Sequence, residues 1–256
     1  MIKRELSTDI SLFPQSVRKY LEASRIYDSS SSKIKVYYSD AGYYVKVAEK
    51  GKLSHEAELS RRFFAPGIGV EVLEYLSTDR DYLVTREAVG TDLTHCTDDP
   101  GMICAILAAA LKRLHALPCA GVALAPAYVE YMRIADSEAH KKEFGSTAVT
   151  DYFGITDFGT AIDIVRANSK KLTADTFIHG DACLPNVIQN GGKFSAFIDF
   201  EMSGKGDKHI DLYWAVWSLW YNLKTASYTD LFLDMYGREN FDIELVRTVA
   251  ALEVLC

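Results

Sequence analysis

The residues of this chain with the clearest chemical potential lie between His179 and Asp199. His179, Asp181 and Asn186 have the spacing H-x-D-x-x-x-x-N. Asp199 follows thirteen residues after Asn186, within an apolar run. Transfer of a γ-phosphoryl group requires a carboxylate that orients a hydroxyl and oxygen ligands for Mg²⁺. The spacing therefore indicates a phosphoryl-transfer site, with Asp181 as the catalytic carboxylate and Asn186 and Asp199 as metal ligands.

Simpler interpretations exist for each of these residues taken alone. A single His-Gly-Asp sequence is usually an ordinary turn, and an acid after an apolar run is usually a strand end. Three elements at the required spacing favour the chemical interpretation. Because Asp181 already takes the position that faces the hydroxyl, His179 is interpreted as a packed residue that holds the loop.

Composition and charge narrow the class of protein. The chain has 256 residues, of which 48% are hydrophobic and 25% charged, so it can form two lobes or one large α/β domain. Its formal net charge of −7 disfavours nucleic acid as a partner and favours a cationic substrate.

Cysteine usage and hydropathy indicate the cytoplasm. The five cysteines form no C-x-x-C pair, so neither a disulfide framework nor a zinc site is expected. The longest apolar run, residues 102–111, is too short to cross a bilayer, and the N-terminus lacks the apolar core of a signal peptide. We expect a cytoplasmic protein with no membrane association.

The first third of the chain has the pattern of a small antiparallel sheet. Residues 33–48 predict two strands joined by a Ser-Asp-Ala-Gly turn, and residues 53–63 have helical apolar spacing. Residues 70–75 and 82–85 predict two further strands. Residues 86–90 form an irregular connector, and we place a domain boundary at its end.

The remainder of the chain is mainly helical in pattern. Helices are predicted over residues 100–117 and 161–171, and short strands over 177–178, 187–188 and 193–199. The candidate catalytic residues therefore fall on loops between short strands.

A serine run and a lysine in the first third could contact phosphate. Four serines at 29–32 precede the first strand of the hairpin, and Lys46 lies in the second strand. This order predicts a phosphate-covering loop, although a flexible linker and a lysine that faces water are the ordinary alternatives.

Together these motifs resemble those of the aminoglycoside 3'-phosphotransferases, within the wider family of kinase-like antibiotic phosphotransferases. The family pattern HGDxxxxN…ID…G-x-x-D-x-x-x-D is matched at residues 179–186, 194–199 and 204–211. The resemblance covers nearly the whole chain and implies an α+β, two-lobed protein-kinase-like fold. In that fold a small antiparallel-sheet lobe, residues 1–90, binds nucleotide, and a mainly helical lobe, residues 91–256, carries the catalytic and substrate-binding residues.

The resemblance also implies which residues bind the nucleotide. Tyr44 corresponds to the aromatic residue that stacks on adenine, and Lys46 to the lysine that contacts the α- and β-phosphates. A helix glutamate orients this lysine. Glu56 is preferred for that role because it shares the apolar face of its helix, with Glu58 as the alternative.

Further family positions are matched less closely. Ser32 lies where the family places a serine against the β-phosphate, and Arg86 and Ala88 lie in the connector that bonds adenine through its backbone. Asp207 and Asp211 resemble acids that hold the catalytic loop by accepting hydrogen bonds from its backbone.

Substrate recognition in the family uses carboxylates from a helical insert and from the C-terminus. Here the insert, residues 130–163, offers Asp151 and Asp157, and the C-terminus offers Glu253 and the terminal residue Cys256. The insert lacks the dense acidic run of the family, and Cys256 replaces the usual aromatic residue. We therefore expect fewer contacts to a cationic drug.

The function implied by the resemblance is phosphorylation of an aminoglycoside hydroxyl, most simply the 3'-hydroxyl, with Mg²⁺-bound ATP or GTP as donor. The modified drug would lose its action, giving antibiotic resistance. A related phosphotransferase that acts on a metabolite amino-alcohol, a sugar or another antibiotic is the nearest alternative. A non-catalytic nucleotide-binding module is a more distant one. The protein is expected to be a monomer.

Overall fold

The computed structural model divides the chain into two compact units. It describes residues 4–30, 34–137 and 152–256. Unit 1 comprises residues 1–89 and 195–201, and unit 2 comprises residues 90–194 and 202–256. The division after Val89 is next to the predicted boundary, but the prediction did not place residues 195–201 with the first unit.

Unit 1 is built on one six-stranded antiparallel sheet with the order β1-β2-β3-β4-β6-β5. Its strands are β1 (Arg4–Glu5), β2 (Ile26–Asp28), β3 (Lys35–Ser39), β4 (Tyr43–Glu49), β5 (Val72–Ser77) and β6 (Arg80–Arg86). The predicted hairpin is β3–β4, in which Tyr38 lies opposite Tyr44. Strands β1 and β2 have two and three residues, too few for an alternating pattern to be recognised.

The two faces of this sheet bury different elements. On one face Val45 and Val84 pack with Val17 of the short helix α1 (Gln15–Arg18). On the other face Leu83 packs with Leu53 and Ala57, at the start of helix α2 (Ser54–Phe64). The face covered by α2 is the one that positions the candidate nucleotide-binding residues.

Unit 2 is mainly helical. The helices among its described residues are α3 (Pro100–His115), α4 (Pro126–Ala135), α5 (Phe158–Asn168), α6 (Lys208–Leu223), α7 (Thr229–Tyr236) and α8 (Ile243–Leu255). The C-terminal helix α8 packs against α4, α5 and α6, and α3 packs against α6 and α7. The core residues are mostly aliphatic, with Tyr213 and Phe232 among the largest fully buried side chains.

Short strands place the candidate catalytic loop within unit 2. They are β7 (Thr91–Asp92), β8 (Thr176–Ile178), β9 (Val187–Asn190) and β11 (Gly204–Gly206), and β10 (Lys193–Phe197) leads from unit 2 into unit 1. Strand β8 pairs with β11, and β7 with β9. The candidate loop connects β8 to β9.

Aspartate side chains begin four of the unit 2 helices. Asp99, Asp157, Asp207 and Asp242 each accept a hydrogen bond from a backbone N–H two or three residues onward. Because Asp157 caps it, helix α5 begins at Phe158, three residues before the predicted start. Helix α3 ends at His115, two residues before the predicted end.

The helices of residues 4–30, 34–137 and 152–256 include none with the length and apolar character needed to cross a membrane.

Candidate active site

Three of the predicted residues meet in unit 1. Lys46 Nζ lies 2.6 Å from Glu56 Oε1 and 2.8 Å from Asp199 Oδ1. Lys46 on β4 is directly opposite Leu83 on β6, so the two side chains share one face of the sheet. Because α2 packs on this same face, a glutamate in its first turn can reach the lysine.

Helix geometry decides which glutamate that is. Glu56 is 3% exposed, whereas Glu58, two residues onward, is exposed to solvent. Residues two apart on a helix point in different directions. The ion pair is therefore formed by Glu56, on the same helix face as the buried residue Phe63.

The electrostatics of the group follow from its burial. Burial favours a neutral lysine, but the charges of Glu56 and Asp199 outweigh it and raise the pKa of Lys46. Burial also raises the pKa of Glu56; Lys46 opposes this shift and the charge of Asp199 adds to it. Lys46 is thus a fixed positive charge, with a side chain that is 19% exposed.

Asp199 is held in unit 1 by its neighbours in sequence. Phe197 N donates to Ile68 O at 2.7 Å, and the ring of Phe200 lies 4.5 Å from that of Phe63 on α2. Between them Asp199 has a φ of 66°, a left-handed conformation that is uncommon for residues other than glycine. The predicted strand over 193–199 therefore ends at Phe197, and Asp199 lies in the bend that follows.

The residues predicted to contact adenine lie near one another on unit 1. Tyr44 is half-buried on β4, with its ring 4.9 Å from that of Tyr38. Arg86, at the end of β6, donates to Glu71 through both its backbone N–H and its guanidinium. Ala88 makes no hydrogen bond to any other described residue. Ser32 lies outside the described residues.

The candidate catalytic loop is in unit 2. Asn186 Nδ2 donates to the backbone carbonyl of Asp181 at 3.0 Å and to its carboxylate at 2.9 Å. Both side chains are half-buried. The amide group of Asn186 therefore fixes the Asp181 carboxylate, while its Oδ1 remains as an acceptor for another ligand.

The backbone of the loop is held by Asp211, in the first turn of α6. Its two carboxylate oxygens accept from the backbone N–H groups of His179 and Gly180, each at 2.8 Å. Asp207, predicted to share this role, does not do so. It accepts from Thr173 N at 2.7 Å and from His209 N at 2.8 Å, because its place at the start of α6 makes it a helix cap.

Gly180 is required by the shape of the loop. Its φ is +84°, and a Cβ at this position would lie 2.1 Å from the carbonyl oxygen of Met202. No side chain fits there. The serine next to Met202, Ser203, donates to the carbonyl of the buried His179 at 2.6 Å. The side chain of His179 is buried and its Nδ1 accepts from Asp181 N at 3.3 Å, so it is packed within the loop.

Comparison with known proteins identifies the family. Residues 25–248 match APH, the phosphotransferase enzyme family. The chain belongs to this family. A probable aminoglycoside 3'-phosphotransferase of Lactococcus lactis subsp. lactis (strain IL1403) is 33% identical over 257 residues, 98% of each chain.

Solved structures share the fold of this phosphotransferase. An aminoglycoside-3'-phosphotransferase of type VIII superposes with a TM-score of 0.68 at 20% identity, over 94% of this chain and 97% of that one. A mutant of aminoglycoside phosphotransferase APH(4)-Ia, in a ternary complex with AMP-PNP and hygromycin B, superposes with a TM-score of 0.65 at 15% identity, over 94% and 89%. The predicted family and the predicted kinase-like α+β fold are both confirmed.

The substrate residues predicted for this phosphotransferase are only partly described. Asp151 lies outside the described residues. Asp157 caps α5: one carboxylate oxygen accepts from Thr160 N and the other from the Thr160 hydroxyl, each at 2.8 Å. These hydrogen bonds lower the pKa of Asp157. The carboxylate predicted to bind substrate therefore has a structural role.

The C-terminal candidates lie on the last turns of α8. Glu253 accepts a hydrogen bond from the hydroxyl of the buried Tyr131, on α4. Cys256 is half-buried and forms no disulfide. Sequence reasoning missed Tyr131, because nothing in a sequence indicates a partner 122 residues away.

Proposed function

We propose that this phosphotransferase transfers the γ-phosphoryl group of a Mg²⁺-bound nucleotide, ATP or GTP, to a hydroxyl of an aminoglycoside, the 3'-hydroxyl in the first instance. The observation that carries the proposal is the group formed by Lys46, Glu56 and Asp199. A lysine held by a helix glutamate next to a metal-binding aspartate is the arrangement that kinase chemistry requires. Phosphorylation of the drug would confer resistance on the cell.

The residues of unit 1 fit a nucleotide. Lys46 keeps its positive charge and is suited to bind phosphate oxygens, while Tyr44 and the backbone of Ala88 are suited to the adenine ring. Asp199 has a carboxylate that is 43% exposed, and Asn186 of unit 2 has Oδ1 available. Carboxylate and amide oxygens are hard donors of the type that Mg²⁺ prefers, and the ion would neutralise charge on the phosphate oxygens.

In unit 2 Asp181 is the residue suited to orient the substrate. Its carboxylate is fixed by Asn186, and its loop is fixed by Asp211. It would accept a hydrogen bond from the substrate hydroxyl and direct the hydroxyl oxygen at the γ-phosphorus. The proton of the hydroxyl passes to the Asp181 carboxylate as the oxygen–phosphorus bond forms and the bond to the departing nucleoside diphosphate breaks.

The relatives support the two finer parts of the proposal. The name of the Lactococcus lactis relative favours the 3' position, and the AMP-PNP complex of APH(4)-Ia favours an adenine nucleotide. The predictions of a monomer and of a cytoplasmic location remain open. Light scattering after size-exclusion chromatography would test the first of them.

A second candidate is a phosphotransferase that acts on a smaller or less cationic molecule. Two of the carboxylates predicted to bind the drug already have partners, since Asp157 caps α5 and Glu253 accepts from Tyr131. Fewer carboxylates available to ammonium groups would suit an amino-alcohol or a sugar.

One assay separates these candidates. Nucleotide consumption is measured with Mg²⁺ and either ATP or GTP across kanamycin, neomycin, the 3'-deoxy drug tobramycin, and a set of amino-alcohols and sugars. Turnover with kanamycin and neomycin but not tobramycin, lost in Asp181→Asn, supports 3'-phosphorylation. Turnover only with an amino-alcohol or sugar supports the second candidate, and nucleotide binding without any turnover supports a non-catalytic module.

A further inference from the structure

The carboxylate of Asp211 has a third donor besides the two backbone N–H groups of the catalytic loop. His115 Nε2 lies 3.0 Å from Asp211 Oδ2, the oxygen that also accepts from His179 N. Asp211 is completely buried, and the side chain of His115 is 7% exposed. The Asp211 carboxylate therefore links His115 to the backbone of the loop, and a contact that orients the carboxylate also orients the loop.

Both ring nitrogens of His115 have a buried partner. An ionised carboxylate only accepts hydrogen bonds, so the imidazole has to carry its hydrogen on Nε2. In a neutral imidazole Nδ1 is then an acceptor, and the hydroxyl of Tyr236 lies 2.7 Å from it. Burial, together with the charges of Asp211 and Asp207, raises the pKa of Tyr236, so its hydroxyl stays protonated.

The three side chains come from the ends of three helices. His115 is the last residue of α3, Tyr236 is the last residue of α7, and Asp211 lies in the first turn of α6. The ring of Tyr236 is also held edge-on to the imidazole, with 5.8 Å between ring centres. The hydroxyl is thus the outer end of a buried chain that leads from Tyr236 through His115 and Asp211 to the loop.

We propose that His115 and Tyr236 are positioning residues for the catalytic loop: Tyr236 holds the imidazole in the form that donates from Nε2, and Asp211 transmits this constraint to His179 and Gly180. The inference rests on the proposed function in one respect only: Asp181, which follows His179 and Gly180 in the sequence, is taken as the catalytic residue. Neither residue is among those proposed to contact nucleotide, metal or substrate.

The test removes the Tyr236 hydroxyl and keeps its ring. In Tyr236→Phe we expect kcat to fall about tenfold while the KM for nucleotide stays within about twofold, since an interaction that orients the reacting group affects turnover more than binding. The matched control is Tyr152→Phe. Its hydroxyl makes a hydrogen bond of the same 2.7 Å to Thr229, the first residue of α7, and therefore attaches the same helix at its other end.

A second measurement needs no substrate. Hydrogen–deuterium exchange of the peptide that contains His179 and Gly180 is expected to be about tenfold faster in Tyr236→Phe than in Tyr152→Phe, since local opening is set by local contacts. If no aminoglycoside supports turnover, the proposed function fails, but this measurement still decides the inference. Equal exchange in both variants would overturn it, and so would faster exchange with unchanged kcat on any accepted substrate.

The double variant separates positioning from general destabilisation. If Tyr236 acts through His115, adding Tyr236→Phe to His115→Phe changes loop exchange by less than about twofold, whereas two independent contacts would have additive effects. Additive effects would overturn the proposed chain. Should His115→Phe fail to fold, His115→Leu also removes both ring nitrogens and serves in the same cycle.

Discussion

At the scale of single residues, the pairing of Lys46 depends on a difference of two positions along α2. Glu56 faces the sheet and Glu58 faces solvent, although the two residues are chemically identical. A pair of matched variants can therefore separate the effect of charge near the nucleotide from the effect of helix composition.

Replacing Glu56 with Gln should impair use of the nucleotide. The variant removes one of the two carboxylates that hold Lys46 and leaves only Asp199, so we expect kcat/KM for nucleotide to fall about tenfold or more. Steady-state kinetics with varied nucleotide would measure this change. Glu58→Gln is the control and should stay within about twofold of the unchanged protein. A larger effect from Glu58→Gln than from Glu56→Gln would contradict the assignment.

At the scale of elements, the β8–β9 loop depends on one glycine. In Gly180→Ala the new Cβ would meet the Met202 carbonyl at 2.1 Å, and the positive φ would be strained as well. We expect the free energy of unfolding to fall by about 3 kcal/mol or more, with little folded protein recovered. Gly191→Ala is the control, because its φ is +58° but nothing lies within 4 Å of the added Cβ. That change should cost about 1 kcal/mol. Urea denaturation compares the two.

Because Asp207 caps α6, the stability of the protein should depend on pH. Burial favours the protonated form of Asp207, but hydrogen bonds from His209 and Thr173 outweigh it and lower the pKa. The ionised Asp207 therefore stabilises the folded state at any pH above about 4, the ordinary pKa of a carboxyl group. This stabilisation is lost as the pH falls below that value and through the lower pKa of the folded state. In Asp207→Asn we expect the free energy of unfolding at pH 7 to fall by about 1–2 kcal/mol.

The difference from the unchanged protein should shrink between pH 5 and pH 3. Urea denaturation at pH 7, 5 and 3 measures it. The exposed Asp175, which accepts from the hydroxyls of Thr173 and Thr176, provides the control variant Asp175→Asn. A difference that stays constant from pH 7 to pH 3 would show that the charge of Asp207 contributes nothing.

At the scale of the whole molecule, patterns formed by neighbouring residues predicted local contacts, whereas contacts between residues far apart in the sequence were not predicted. The spacing of Asp181 and Asn186, and the helical face of Glu56, depend on a few neighbouring residues, and the structure shows those contacts. The strands β1 and β2 have too few residues for such a pattern. Asp157 has the carboxylate side chain expected of a substrate ligand, but it lies at the position of a helix cap. The sequence alone does not distinguish these two roles.

Contacts between distant segments could not be derived from the sequence. The partners of Asp211 include His115, which lies 96 residues earlier in the sequence. The ring of Phe200 packs on Phe63, which belongs to a distant segment of the chain. A sequence boundary at residue 90 treats unit 1 as continuous. The contacts of residues 195–201 make it discontinuous.

That discontinuity predicts how fragments of the chain behave. Phe63 is completely buried, and the ring of Phe200 fills the space beside it so closely that a Cβ on Gly69 would lie 2.9 Å from a ring carbon. A fragment of residues 1–90 would therefore expose Phe63. A fragment in which residues 193–203 are joined to residue 90 by a flexible linker of about 15 residues should cover it again.

We expect the joined fragment to be more stable than residues 1–90 alone by about 3 kcal/mol, the usual cost of removing a phenylalanine from a core, and to bind less of an apolar dye. Urea denaturation and dye fluorescence would measure the two differences. Phe200→Ala in the joined fragment is the control and should remove most of the gain. If residues 1–90 alone are as stable as the joined fragment, then Phe200 does not complete the core of unit 1. The position of Asp199 beside Lys46 would then depend less on the packing of Phe200 than on other contacts, such as the hydrogen bond from Phe197 to Ile68.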